Sequence, residues 1–515
     1  MTIPCRRPHL LSETRGACRQ VSRRLPPRNT HEPGYRLAVT TPGAWQQPKW
    51  RAFTAIAITF ITIVFSTAFS FLALPEIADD FEVTLSVVGW VVIIESLLIA
   101  ALLLPLGGLA DLLGDKRVFI IGVAIFGLGV LLTGISPTFG TLIAARVVTA
   151  IGNAMVQSVA TGILVAIFPD EERGLALGAQ TAAVAVGSAS APLLGGLGLE
   201  FLAWNTIFVL LVIPSVISLL AVQTLIPSHP LREVDENRTF DTRGSVLSAL
   251  AVTALIVTIS NPFSVPWLSP AVFFGALASV TLLALFIRWE LQIEHPLLQL
   301  RLFSVRVFRT AVAIRGFGFM ASSTTIFLLP IYLLSFRQVS PVAAGAIIAL
   351  AAIGLGVGAQ IAGRLYDRIG PRIPTLIGLT LQIAVSVGFA LSTDTTSLIF
   401  VGTLAGISGV GTALWNVTNN GAMLGAMPAE FLGVGGAFIN VTRTIGSVLS
   451  QALAAAVVAG VMTSRGFDIP LGELSSTPGA GQAFNGGFQL AYLIAAAISV
   501  ALVGLAIRLP GIDAD

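Results

Sequence analysis

The chain has 515 residues, of which 55% are hydrophobic and only 11% charged, where a soluble domain carries roughly 25% charge; its mean hydropathy is +0.88. That balance excludes a soluble globular protein and points to a chain that crosses a membrane many times. The formal net charge of +3 and the pI near 9.2 follow from where the arginines gather, so they bear on membrane topology and do not argue for nucleic acid as a partner.

Residues 1–48 come first and contain no apolar run. They hold Arg6, Arg7, Arg15, Arg19, Arg23, Arg24, Arg28 and Arg36 against Glu13 and Glu32, with several prolines. This composition reads as a disordered, basic, cytoplasmic tail that fixes topology. It lacks the apolar stretch and cleavage site of a secretory signal; a transit peptide is the alternative reading. Cys5 and Cys18, the two cysteines of the chain, both fall in this tail, on the reducing side, so no structural disulfide is expected.

Fourteen apolar runs follow, at 52–75, 85–109, 118–135, 141–161, 175–197, 203–225, 244–261, 268–288, 309–335, 342–363, 373–391, 398–424, 433–462 and 487–507. Each is long enough to cross a ~30 Å hydrocarbon core as a helix rising 1.5 Å per residue. With the N-terminus inside, the cytoplasmic loops carry Lys116, Arg117, Arg173, Arg232, Arg238, Arg243, Arg301, Arg306, Arg309, Arg364, Arg368 and Arg372, whereas the outer loops carry little beyond Arg337 and Arg465. This bias predicts a multi-pass protein with both termini cytoplasmic.

The loop after the second run, "GGLADLLGDKRVFIIG" from Gly107 to Gly122, aligns without a gap to "GRLYDRIGPRIPTLIG" from Gly363 to Gly378, at an offset of 256 residues. Gly107 pairs with Gly363, Asp111 with Asp367, Gly114 with Gly370 and Lys116 with Arg372. "PDEERG" from Pro169 has a looser counterpart in "PAEFLG" from Pro428. A repeat of this length marks a duplicated transporter half. If each half has six spans, the seventh and eighth are an insertion after the polar loop "PSHPLREVDENRTFDTRG", Pro227 to Gly244. The expected fold is an all-α membrane protein with 14 transmembrane helices: two pseudo-symmetric six-helix bundles plus two inserted, peripheral helices. The expected segments are the tail 1–48, a first bundle at 49–226, the loop and inserted pair at 227–308, and a second bundle at 309–515.

These loops resemble the signature of the major facilitator superfamily, and other stretches resemble its fourteen-span drug:proton antiporter branch. The superfamily's G-x-L-a-D-R-x-G-R-K pattern appears as Gly107, Leu109, Asp111, Gly114 and Lys116, with Leu112 and Asp115 at usually basic positions. It appears again as Gly363, Leu365, Asp367, Arg368, Gly370 and Arg372. The pattern makes a tight turn whose aspartate can meet a helix N-terminus and neighbouring arginines, a conformational latch. "RVVTAIGNA" in the fourth span keeps Arg146 and Gly152 of a family pattern. "GSASAPLLGG" in the fifth matches the antiporter pattern at Gly187, Pro192, Gly195 and Gly196, and favours export. "NVTRTIG" in the thirteenth supplies Arg443.

Two departures from the branch matter. Ser66 stands where the first span usually has an aspartate, and Glu95 stands where the second usually has a tyrosine, between Trp90 and Pro105. Glu95 is therefore the carboxylate expected deep in a span, at about mid-depth, opposite Arg146, Arg315 and Arg443. Such a group is protonated, paired with an arginine, or faces water. Each state makes Glu95, with Arg146, a proton-coupling candidate; a static ion pair that orients helices is the alternative. Arg315 and Arg443 are the other possible partners. The twelfth span adds "WNVTNN", Trp415 to Asn420, in which Asn416, Asn419 and Asn420 fall on one helical stripe. With Asn153, Gln157, Trp415, Arg315 and Arg443 they are substrate-cavity candidates; for the amides the alternative is a purely interhelical hydrogen-bonding role. Three arginines against one acid favour neutral or anionic lipophilic substrates over dications.

The function expected is therefore secondary active export of small lipophilic compounds, a drug or antibiotic efflux activity at the plasma membrane, by proton antiport with alternating access. Symport or uniport of a small metabolite is the alternative, because the first-span acid is missing. A membrane enzyme or receptor has no positive support. His9, His31, His229 and His295 all lie outside the apolar runs, and neither H-E-x-x-H nor G-x-x-x-x-G-K-[ST] occurs. Neither a catalytic residue nor a metal site or cofactor is expected; the partners expected are a small-molecule substrate, protons and the lipid bilayer.

Overall fold

The computed structural model describes residues 48–83, 85–169, 172–226, 240–260, 265, 269–293, 296–298, 300–427, 432–467 and 477–509. The tail before Pro48, Arg232 and Arg238 of the polar loop, the start of "PAEFLG" and all four histidines lie outside the described residues. Among the described residues fourteen helices are long and apolar enough to cross a bilayer. They are α1 Pro48–Leu72, α2 Trp90–Leu113, α3 Asp115–Gly134, α4 Phe139–Ile167, α5 Arg173–Leu199, α6 Trp204–Leu225 and α7 Thr242–Ile259. Then come α8 Pro270–Glu290, α9 Arg306–Phe336, α10 Ala343–Ile369, α11 Arg372–Ala390, α12 Leu398–Gly425, α13 Phe438–Ser464 and α14 Ala480–Ala506.

Every apolar run is a helix, and the differences lie at the ends. A helix stops where its terminal backbone groups find partners, which is not where its apolar stretch stops. Thus α4 starts at a reciprocal cap between Thr138 and Thr141 and runs six residues past the apolar run. Ser269, Ser340 and Ser397 likewise accept from backbone N–H groups at the starts of the helical segments of α8, α10 and α12. In the two repeated turns Gly114 and Gly370 have φ of +88° and +71°, a conformation that costs a side-chain-bearing residue about 1–2 kcal/mol and glycine almost nothing.

The duplication is visible in which helices touch. In the first half α1 packs on α5 and α6, α2 on α4, and α3 on α4 and α6. The same pairs recur eight helices later: α9 on α13 and α14, α10 on α12, and α11 on α12 and α14. The halves meet along two seams related by the same shift, α2 and α4 against α13, and α10 and α12 against α5. Lipid supplies no hydrophobic force between helices, so close packing of small residues does this work. At the α5–α10 seam a side chain on Gly174 would strike Tyr366 and the Gly363 carbonyl, at 2.6 and 2.7 Å from its Cβ.

The inserted pair breaks the symmetry. Among the described residues helix α8 packs chiefly on α7, as expected of a peripheral element, but α7 lies against both α2 and α13 and so covers one seam. Its counterpart seam has no such cover. At the end of the pair Asp241 accepts from the Trp289 indole at 2.9 Å and caps Gly244 at 2.9 Å, and Glu290 accepts from Leu298 at 2.9 Å. Both acids are buried. Their burial was not legible in the sequence, which shows Glu290 only as a polar residue following an apolar run.

Candidate functional site

Helices α2 and α4 are separated by one crossing and therefore start on the same face of the membrane. Glu95 is five residues from the start of α2 and Arg146 seven from the start of α4, depths of roughly 8 and 10 Å at 1.5 Å per residue. The two side chains meet. Arg146 donates through Nη2 to Glu95 Oε2 as an ion pair, with 0% and 1% of the side chains exposed. Glu95 Oε1 accepts from Thr67 at 3.1 Å and from Asn153 at 3.2 Å, so the carboxylate takes three donors, one from α1 and two from α4. Arg146 also donates to the Val91 carbonyl at 3.3 Å and lies over the Phe208 ring, while its Nη1 has no partner among the described residues.

Glu95 lies in the first third of α2, which follows a short helical turn at Leu85–Val88. The structure also selects Arg146 from the three arginines as its partner. Ser66 is fully buried and its hydroxyl has no partner among the described residues. The neighbouring Thr67 makes the contact, a residue the sequence gave no reason to single out.

Arg146, Asn153 and Gln157 are spaced at i, i+7 and i+11, which lines them up on one face of α4. Gln157 donates to Asn153 at 2.7 Å and accepts from Arg443 of α13 at 3.2 Å; its backbone carbonyl accepts from Asn440 at 3.1 Å. A continuous hydrogen-bonded chain thus leads from the Glu95–Arg146 pair, through Asn153 and Gln157, across the seam to Arg443 in the other half.

Arg315 of α9 stands apart from that chain. It donates to the Ile439 carbonyl at 2.7 Å, to Asn416 at 2.8 Å and to Asn420, and lies 5.1 Å from the Phe319 ring centre. Two candidates are enclosed. Asn419 is fully buried and donates to the Ala311 carbonyl of α9 at 2.9 Å. Trp415 is likewise enclosed, stacked edge-on against Phe319 and packed on Gly318, so it is core of the second half and not lining.

Of the two repeated turns, the second bridges the halves. Asp367 accepts from the backbone N–H groups of Gly174 and Leu175 at 2.9 Å each, which sets a carboxylate against the positive N-terminal end of α5. Asp111 is buried at the end of α2 beside Gly107, and the stretch corresponding to the start of α5, at 428–431, lies outside the described residues. Lys116 ties α3 to the end of α6 within the first half, donating to the carbonyls of Gln223 at 3.2 Å and Ile226 at 2.6 Å. Arg368 is exposed, and neither it nor Arg372 forms an ion pair among the described residues. In α5, Gly187 and Gly195 pack on Ile61, Val64 and Phe69 of α1, and a Cβ added at Gly196 would lie 3.9 Å from Leu72. The chain through Pro192 takes a π turn over Ala191–Gly195. These glycines therefore serve packing within the first half.

The model of the Major Facilitator Superfamily matches residues 55–451, well over half of the chain. Riboflavin transporter RibZ of Clostridioides difficile is 28% identical over 415 residues, covering 81% of this chain and 89% of that one. Multidrug resistance protein Stp of Mycobacterium tuberculosis is 29% identical over 399 residues, covering 76% and 72%. Among solved structures, the human organic anion transporter MFSD10 (TETRAN) superposes with a TM-score of 0.64 at 14% identity, over 88% of this chain and 100% of that one, a likeness of fold.

Proposed function

The chain belongs to the major facilitator superfamily, and from that premise we propose that it exports small lipophilic compounds across the plasma membrane by proton antiport. Its similarity to a multidrug resistance protein supports export of drugs or antibiotics. The observation that carries the coupling is the buried Glu95–Arg146 pair with its hydrogen-bonded chain into the second half.

The coupling follows from charge burial. Ionised Glu95 and Arg146 neutralise each other in a site closed to water. Protonating Glu95 leaves Arg146 a buried charge without a counter-charge, a change that costs several kcal/mol in a closed site. The conformation in which Arg146 meets water is then favoured, so the two protonation states prefer different conformations, as coupling requires. Asp367, at the N-terminus of α5, acts as the latch of one closed form and is broken when the α5–α10 seam opens; Asp111 holds the equivalent position at the α2–α13 seam. Both termini are cytoplasmic in this reading, and the functional segments are the tail, two six-helix bundles and the inserted pair.

Similarity to a relative named as a riboflavin transporter, together with Ser66 at the usual acid position, favours a second mode, symport or uniport of a small metabolite. One experiment separates them. In a pump-deficient host, expression of this chain should lower drug accumulation and raise resistance. In vesicles, adding an exported compound should collapse an imposed pH gradient. Glu95→Gln should abolish that collapse and Glu95→Asp retain part of it. Gradient-independent movement in the wild type, or wild-type pH dependence in Glu95→Gln, would overturn the antiport assignment.

A further inference from the structure

We propose that Arg315 and Arg443 form an oxyanion subsite between α9, α12 and α13, which takes the carboxylate, sulfonate or phosphate group of a lipophilic substrate. The proposal rests on the export reading above and names its substrate class.

The two guanidinium groups share one turn of α13. Arg315 Nε is bonded to the carbonyl of Ile439, and Arg443 is four residues on, one turn along the same face. Their charges repel one another. No carboxylate among the described residues lies within ion-pair distance of either, and α9, α11, α12, α13 and α14 contain no Asp or Glu at all. Among the described residues the acceptors on these two side chains are neutral: Asn416, Asn420, the Ile439 carbonyl and Gln157. Amide dipoles solvate a guanidinium but leave its net charge, and an intramembrane arginine without a counter-charge is costly. An arriving anion supplies what the protein withholds.

The arrangement also has an approach. Arg315 is 2% exposed, whereas Arg443, Asn416, Asn420 and Gln157 are only half-buried, so the charge is reached from the Arg443 side. Planar guanidinium forks match oxyanions with paired hydrogen bonds, and the Phe319 ring beside Arg315 offers an apolar flank for the rest of the molecule. The Gln157 amide oxygen on Arg443, at 3.2 Å, is the neutral acceptor that an oxyanion replaces. Gln157 also ends the chain that begins at Glu95, so anion binding and protonation bias the same elements.

The test uses the full chain in nanodiscs and three probes on one scaffold: 2-naphthoate, its methyl ester and 2-naphthyltrimethylammonium. The wild type should bind naphthoate at least tenfold more tightly than the ester and should not take the ammonium. Arg315→Gln and Arg443→Gln should each lose tenfold or more for naphthoate with the ester unchanged, and Arg443→Lys should keep part of the preference. Equal affinity for naphthoate and ester in the wild type overturns the subsite, and that comparison decides even where a variant fails to fold. Equal losses for both probes in folded variants overturn it as well. Naphthoate binding with no proton-driven export of any probe keeps the subsite and sinks the export reading; proton-driven export of the ester with no anion preference does the reverse.

Discussion

The two halves of the molecule treat a buried arginine in opposite ways. Arg146 in the first half is neutralised by Glu95 and held by a carboxylate that takes three donors, whereas Arg315 in the second is held by amide and backbone oxygens alone. The repeat therefore copies the scaffold and not the chemistry. A neutral pair can change its charge by one proton and so suits coupling; an uncompensated cation cannot lose its charge at ordinary pH and so suits holding an anion. Gln157 and Arg443 join the two sites across the seam.

The sharpest way to break this contrast is to remove each arginine and measure stability. Glu95→Ala strands Arg146, and Arg146→Gln strands Glu95; each should cost ~3–5 kcal/mol, the range for breaking a buried pair. Glu95→Gln with Arg146→Gln should recover a large part of that loss. Arg315→Gln abandons no carboxylate and removes a buried charge that has no counter-charge, so it should destabilise far less than breaking the Glu95–Arg146 pair. Unfolding of the four variants in nanodiscs decides the point, and equal losses at Arg146 and Arg315 would end the comparison.

The link between the sites is tested next. Gln157→Ala removes a hydrogen bond to a charged group, about 1.5–3 kcal/mol, and should uncouple the two. With Gln157 present, Glu95→Asp and Arg443→Lys should shift the pH midpoint of transport non-additively; with Gln157→Ala their effects should add. Additivity in both backgrounds would mean that the chain carries no coupling.

Smaller effects come from the uncovered seam. Gly174→Ala forces a methyl group against Tyr366 and Gly363 and should weaken closure by roughly 1–3 kcal/mol, read as a wider α5–α10 spacing between spin labels. Asp367→Asn keeps the shape but gives up the charge at the helix end, about 0.3–1 kcal/mol. It should speed opening with substrate affinity nearly intact. A large loss of affinity with unchanged cycling would make Asp367 a ligand instead of a latch.

Much of this protein could be read from the chain alone. Backbone groups cannot stay unpaired in hydrocarbon, so each sufficiently long apolar run had to be a helix, and the 256-residue repeat required the second set of helix contacts to copy the first. Glu95 and Arg146 stood out for the same reason, since charge in an apolar run demands a partner. Which partner was left open, because three arginines lay at similar distances along their spans and one-dimensional depth does not say which helices are neighbours. Only the packing of α2 beside α4 chose Arg146. Likewise, only the rotation of α12 turned Asn416 and Asn420 to Arg315 while burying Asn419 and Trp415. The acids Asp241 and Glu290 are buried because the ends of α7 and α8 fold onto one another, a contact between segments that local hydropathy does not record. Composition and periodicity dictate what must leave water. The facing of neighbouring helices decides what each buried charge meets, and that is a property of the tertiary structure.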